Sequence, residues 1–232
     1  MNRVRTVLAM ELSSARGSVA LLRGDEIVCS AAWTQEQRDE GRLFESVRSA
    51  LAASGVPVKL LDAVVAGRGP GSYTGIRMAM TAAHFLAAPH GRSAYFVGSA
   101  EAVALEACEE TGVERVTVIG DARRGAAWLG RFRRGDDGLV SLVGGWTLLP
   151  LEEVRRAVAE EPVVISPDWP RLRERLGTRV QDIDVRRVRH RYPSAEWVGR
   201  TALLRMSGGA VSDPREPLYL HPPVVAPSGA DQ

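Results

Sequence analysis

A pattern near residues 6–34 returns, altered but recognisable, near residues 116–147. Ala15-Arg16-Gly17-Ser18-Val19-Ala20-Leu21-Leu22 can be set beside Arg123-Arg124-Gly125-Ala126-Ala127-Trp128-Leu129. Each follows an apolar strand that ends in a carboxylate, Glu11 or Asp121. Each runs on to an Arg-Gly-acid-acid turn, at Arg23-Gly24-Asp25-Glu26 and Arg134-Gly135-Asp136-Asp137. The strand after each turn closes in Trp-Thr, at Trp33-Thr34 and Trp146-Thr147. Hairpins share turn chemistry, so one repeat is a weak signal by itself. Strand, turn and hairpin followed by helix and strand, twice over, still predicts a duplicated α/β fold ahead of a single undivided sheet.

The remaining punctuation fits that plan. Strands are predicted at Thr6 to Leu12, Ser18 to Leu22, Ile27 to Trp33 and Leu60 to Ala66, where apolar runs are bounded by turn residues. Leu43, Phe44, Val47 and Leu51 recur at helical spacing before Gly55. A helix from about Tyr73 to Ala88 is followed by a strand at Ala94 to Val97 and a helix beginning near Ser99. Ser99 is expected to cap that helix, with Glu101 where the helix dipole favours an anion. Further on, Val116 to Ile119, Leu139 to Thr147 and Val163 to Ser166 read as strands. Leu151 to Glu161, Arg171 to Gly177 and Ser194 to Ser207 read as helical. The lobes are placed at residues 1–112 and 113–221, and the Pro/Ala/Gly/Ser-rich stretch 222–232 is expected to be a disordered tail.

A chain of 232 residues, 45% hydrophobic and 25% charged, has the composition of an ordinary globular protein. No apolar run approaches the roughly 20 residues that span a bilayer, and Val7 to Met10 is too short for a signal-peptide core. The expectation is a cytoplasmic protein with no membrane partner. A net charge of +2 is too small to argue for nucleic-acid binding by itself. Lys59 is the sole lysine, which a GC-rich genome explains more simply than phosphate recognition. The densest basic stretch is Arg186-Arg187-Val188-Arg189-His190-Arg191, and whether it touches RNA is open. Cys29 and Cys108 belong to no pair motif and are expected to be small buried hydrophobes.

Between a predicted strand and a predicted helix stands Gly67-Arg68-Gly69-Pro70-Gly71-Ser72-Tyr73-Thr74-Gly75-Ile76-Arg77. Its glycines permit unusual backbone angles and close approach of another segment. Amides at a helix start can also bind an anion. The stretch lacks the Gly-Lys-Ser/Thr ending of a P-loop and the spacing of the dinucleotide fingerprint. On chemistry alone, Gly67, Arg68, Gly69, Gly71, Ser72, Thr74 and Gly75 could form a phosphate cradle or a tight packing turn.

The same eleven residues resemble the signature loop of the bacterial TsaB (YeaZ) family, where the aromatic is usually Phe. Three other stretches resemble that family in the same order. They are Val7-Leu8-Ala9-Met10-Glu11 with Gly17-Ser18-Val19-Ala20-Leu21, then Asp121-Ala122-Arg123-Arg124-Gly125, then Glu216-Pro217-Leu218-Tyr219-Leu220. Three places depart from the family pattern. Glu11 stands where the family has Asp, Ala126 replaces a carboxylate, and Asp39-Glu40-Gly41 lacks a histidine. The resemblance implies an actin-like ATPase (ASKHA) fold with two related βββαβα-type lobes, the second reduced. It also implies a non-catalytic partner of a TsaD-like enzyme that transfers a threonylcarbamoyl group to adenosine 37 of tRNAs reading ANN codons. A TsaE-like ATPase would complete the assembly, tRNA would be met only within it, and the chain alone would pair with itself. No cofactor is intrinsic to such a subunit, although ATP or ADP could be held at the interface.

The residues themselves offer little catalytic chemistry. The histidines are His84, His90, His190 and His221. His84 and His90 lie about 120° apart at ~100° per residue, with Pro89 between them, so no metal site is expected. Glu11, Asp121 and Arg123 could be vestiges of a metal–nucleotide site, although carboxylates bonding nearby backbone amides is the preferred account. On the helix after the glycines, Arg77, Thr81 and His84 form a polar stripe inside an apolar arc of roughly 220°. That width suggests burial on two sides, and this helix is the family's pairing surface. Tyr73, Ile76, Arg77, Met78, Met80, Thr81, Ala82, His84 and Phe85 are the expected interface residues, with burial inside the chain's own domain as the alternative. Two rival functions remain open, an ATP-dependent kinase or ATPase on the same fold and a glycoprotease-like metallopeptidase.

Overall fold

A computed structural model describes residues 4–35, 41–177, 188–209 and 212–220. It contains two five-stranded sheets of the same design. In the first, β1 (Thr6–Glu11), β2 (Arg16–Arg23) and β3 (Glu26–Thr34) form an antiparallel meander. β4 (Ala63–Gly67) and β5 (Tyr95–Val97) then add in parallel, giving the order β3-β2-β1-β4-β5. In the second, β6 (Arg115–Arg123), β7 (Ala126–Arg134) and β8 (Val140–Pro150) repeat the meander, and β9 (Val164–Ser166) and β10 (Val188–His190) repeat the parallel pair. Read as β8-β7-β6-β9-β10, the order is the same, so the fold is a duplicated α/β one, as the sequence repeat predicts.

The second unit is the reduced one. α1 (Arg42–Ser54) and α2 (Tyr73–Ala87) have 13 and 15 residues, whereas α4 (Val154–Val158) and α5 (Trp169–Leu176) have 5 and 8. α1 ends on Gly55, whose φ of 64° is the left-handed stop that glycine adopts without strain.

Strand alternation sorts the core into layers. Leu8, Met10, Val19 and Leu21 face Leu43 and Val47 of α1 and Ile76, Ala79 and Ala83 of α2. On the opposite face, Val7, Ala9, Ala20 and Leu22 meet Val198 and Ala202 of α6 (Ala195–Ser207). In the second sheet, Val116, Val118 and Trp128 pack on Val103, Ala104 and Ala107 of α3 (Ser99–Thr111), while Leu129 and Val164 pack on Leu172 and Leu176 of α5. Thus α3, early in the chain, serves the second sheet, and the late helix α6 serves the first. A boundary at 112/113 separates the sheets but not the helices, which cross over and lock the lobes together.

Most predicted elements are found, with four differences. Leu60 ends a short 3₁₀ turn and β4 begins only at Ala63. β10 escaped prediction because two of its three residues, Arg189 and His190, are exposed and polar, leaving no alternation to read. Ser194 does cap α6, accepting from the Trp197 amide at 3.4 Å. Ser99 does not cap α3, whose N-cap is Gly98, because its hydroxyl is engaged elsewhere. Cys108 is fully buried as expected, but Cys29 is only half-buried and points its thiol at the Ala50 carbonyl. Asp39, Glu40, Arg186, Arg187, His221 and the tail 222–232 lie outside the described residues.

After α6 the chain returns to the first lobe. The Phe96 amide donates to Ser212 Oγ at 2.7 Å, and the Asp213 amide donates to the Phe96 carbonyl. Arg205 of α6 anchors this return, contacting Asp213 at 2.9 Å and Glu101 of α3 at 2.5 Å. Burial pushes the Glu101 carboxyl up to about 7 against the pull of Arg205. An acid whose pKa is higher in the folded chain than in the unfolded one binds more protons when folded. Its contribution to stability therefore falls as pH rises from 4.5 to about 7. Across that window the wild-type chain should lose stability relative to Glu101→Gln in parallel denaturant titrations. A difference independent of pH would show that Glu101 stays ionised throughout.

Candidate functional site

Three places held the candidate residues: the carboxylates at the ends of β1 and β6, the glycine loop, and α2. Glu11 is completely buried. One of its oxygens accepts from the Ser13 amide at 2.5 Å and the other from the Ser99 hydroxyl at 2.7 Å. Burial raises its pKa, and these hydrogen bonds oppose that shift. The Ser99 hydroxyl also receives the Gly69 amide at 3.0 Å, which explains why it cannot cap α3. Glu11 is thus a buried strut between the end of β1, the glycine loop and the start of α3.

The glycines make room for that strut. A Cβ on Gly67 would stand 1.7 Å from a Glu11 carboxylate oxygen, one on Gly71 2.1 Å from the Ser13 carbonyl oxygen, and one on Gly75 1.9 Å from that of Leu12. Gly69 has φ of +96°, a conformation glycine alone tolerates well. Four of the loop amides are also occupied. Arg68 donates to Val97 O at 2.9 Å, Gly69 to Ser99 Oγ, Ser72 to Ser13 O at 2.7 Å, and Gly75 to Ser72 Oγ at 3.3 Å. Pro70 has no amide to offer. Of the two accounts of this stretch, the packing turn is the one the geometry supports. Thr74 takes no part in these contacts and is exposed at the start of α2.

Asp121 is held by different partners, hydrogen-bonded through one oxygen and only ion-paired through the other. It accepts from the Arg123 amide at 2.9 Å and is ion-paired with Arg171 at 2.8 Å and with Arg175. Its own amide is held by Asp168. The Arg123 side chain is largely exposed, 4.0 Å from Asp121, and both Arg123 and Arg124 adopt positive φ, at 66° and 49°. Both carboxylates bond the amide two residues on, as the preferred sequence account held. Asp168, Arg171 and Arg175 went unnoticed, because nothing in their spacing links α5 to a turn some fifty residues earlier.

Within the basic stretch, Arg191 is committed to Glu106 at 2.7 Å and Glu110 at 2.6 Å on α3. It ties β10 to a helix of the chain rather than standing free for phosphate.

α2 divides its residues cleanly. Ile76, at 0% exposure, and Met80, at 6%, belong to the lobe's own core and leave the expected interface set. Tyr73, Arg77, Thr81, His84 and Phe85 are exposed, Met78 is half-buried, and Ala82 lies at the base between them. Against α1 they border an open groove of about 450 Å³ lined by Phe44, Tyr73, Met78, Ala82, Phe85 and Leu86. Phe85 at 70% and Phe44 at 57% exposure are large apolar side chains without cover. One edge of the apolar arc therefore meets the sheet and the other is open. His84 sits edge-on to Phe85 at 6.0 Å. Among the described residues no cluster of histidine, cysteine or carboxylate is arranged to hold a metal ion.

A family model described as TsaD, tRNA N6-adenosine threonylcarbamoyltransferase, matches residues 36–148, a span that includes α1, α2 and the glycine loop. The tRNA threonylcarbamoyladenosine biosynthesis protein TsaB of Bacillus subtilis is 30% identical over 128 residues, covering 55% of this chain and 55% of that protein. Its Escherichia coli namesake is 28% identical over 138 residues, 57% of each. The chain spans just over half the length of these curated relatives. The solved structure of YeaZ from Pseudomonas aeruginosa superposes with a TM-score of 0.75 at 28% identity, covering 93% of this chain and all of that one.

If the glycines serve packing, substitution should damage the fold. Gly75→Ala should cost roughly 1–3 kcal/mol through overpacking against the Leu12 carbonyl, read as a lower Tm. An unchanged Tm would argue that the loop has slack and restore the anion-cradle account.

Proposed function

From the premise that the chain belongs to the TsaB (YeaZ) family, we propose that it is a non-catalytic partner subunit in the formation of tRNA threonylcarbamoyladenosine. It pairs through α1 and α2 with a TsaD-like enzyme that modifies adenosine 37 of tRNAs reading ANN codons. It meets tRNA, and a TsaE-like ATPase, within that assembly in the cytoplasm, and pairs with itself when alone. ATP or ADP, if held, belongs to the interface rather than to this chain.

One observation carries the proposal: large apolar side chains stand uncovered along the α1–α2 groove, inside the stretch that matches the TsaD model. A TsaD-type protein therefore carries a counterpart of this helix pair. Two such pairs can meet across a twofold or pseudo-twofold axis, which lets one surface serve either partner. The engaged carboxylates support the non-catalytic part. Glu11 and Asp121 occupy the places where an active actin-like enzyme would position metal–nucleotide, and both are turned into the protein. This disfavours the kinase and ATPase alternative.

Phe85 separates association from folding because it contributes to no buried cluster. Phe85→Asp should keep its Tm within the small range usual for surface changes. It should weaken co-purification with the co-expressed TsaD-type protein by about tenfold or more. Retention of the partner at wild-type affinity would remove α2 as the pairing surface. As a separate check, the purified chain should not hydrolyse ATP, measured as phosphate release. Turnover abolished by Asp121→Asn would overturn the non-catalytic assignment.

A further inference from the structure

The groove's rim is built from two distant parts of the chain. The segment 212–220, pinned at one end by Ser212 and Asp213, is held farther along by the Leu218 amide donating to Arg68 O at 2.9 Å. Arg68 Nε returns a hydrogen bond to Glu216 O, also at 2.9 Å. These bonds bring the Tyr219 ring onto that of Tyr73, stacked with centroids 5.0 Å apart. Arg77 lies 5.0 Å from the Tyr73 ring centre and donates to the Tyr73 hydroxyl. Tyr219 and Tyr73 remain 43% and 55% exposed. Two phenol hydroxyls and a guanidinium thus converge at one end of an apolar groove.

That combination receives a carboxylate. A guanidinium supplies charge and a fork of donors, and the two hydroxyls, hydrogen-bonded to each other, keep one O–H to add as a directional donor. Among the described residues no acid pairs with Arg77, so its charge is available to an incoming group. The acid that suits it is in the same helix pair. Glu45 is the only acid on α1 and α2, is exposed, and directly follows Phe44, the α1 residue that lines the groove. One helix pair thus carries a receptor on α2 and an exposed complementary charge on α1, the requirement for an isologous contact in which each copy supplies both.

We propose that Tyr73, Arg77 and Tyr219 form a carboxylate receptor, completed by the C-terminal segment, that takes Glu45 of a second copy of this chain across a twofold axis. The proposal rests on α1–α2 being the pairing surface and adds the residues that fix the register of the pair. Arg77 and the two tyrosines act as specificity determinants, since charge complementarity sets partner choice and orientation more than raw affinity.

Sedimentation equilibrium on the full-length chain tests it. The wild type should dimerise, and Arg77→Glu, Glu45→Arg and Tyr219→Ala should each raise the dimer Kd about tenfold with Tm unchanged. Combining Glu45→Arg with Arg77→Glu restores opposite charges across the axis and should bring Kd back to within about threefold of wild type. Tyr219→Phe keeps the stack and removes the hydroxyl, so it should weaken the dimer even if Tyr219→Ala proves unstable. A charge swap no tighter than its single variants, wild-type dimerisation by Tyr219→Phe, or a monomeric wild type would each overturn the proposal. Phe85→Asp tells the two ideas apart. If it abolishes pairing while the rim variants do not, the receptor fails and the pairing surface stands.

Discussion

Everything in the first lobe turns on how closely the glycine loop approaches the end of β1. Glu11 is an ionisable group with no access to water, tolerated because Ser13 and Ser99 donate to its two oxygens. That arrangement requires Gly67 to carry no side chain and requires the loop to lie where Gly69 can also reach Ser99. Once the loop is there, Ser72 meets the Ser13 carbonyl, α2 starts at Tyr73, and its inner face settles on the sheet. The outer face, and the exposed aromatic groups on it, follow from where that helix is made to begin.

The second lobe solves the same geometric problem by ion pairing. Asp121 has the place of Glu11 but is shorter, and it is met by Arg171 and Arg175 from α5 instead of by a serine. A duplicated fold thus keeps a carboxylate at the end of each first strand while changing what holds it. In neither lobe is the group left facing open space, which is the physical reason to regard both as structural.

Much of this was legible in the sequence, and the exceptions have physical causes. The repeat of apolar strand, turn and hairpin identified the duplication, because alternation and turn chemistry are local properties. The width of the apolar arc on α2 was equally plain. Periodicity alone could not tell which edge meets the sheet, however, so Ile76 and Met80 were grouped with residues that prove to face outward. Ser99 looked like a cap because capping is a local pattern, whereas its bond to Glu11 spans eighty-eight positions. The contribution of Tyr219 was invisible for the same reason: its motif was recognisable, but the ring it stacks on belongs to a helix far earlier in the chain.

The path of segment 212–220 has a consequence for the order of events in the cell. β1 to α2 are translated long before Tyr219, so the first lobe can begin to fold while its rim is still missing a wall. Only after α6 has crossed back and Arg205 has found Asp213 does the segment reach Tyr73. A nascent or prematurely ended chain would present the apolar groove without its polar gate. Until that segment docks, the α1–α2 groove lacks the ring that later stacks on Tyr73, so its apolar wall forms before its polar end.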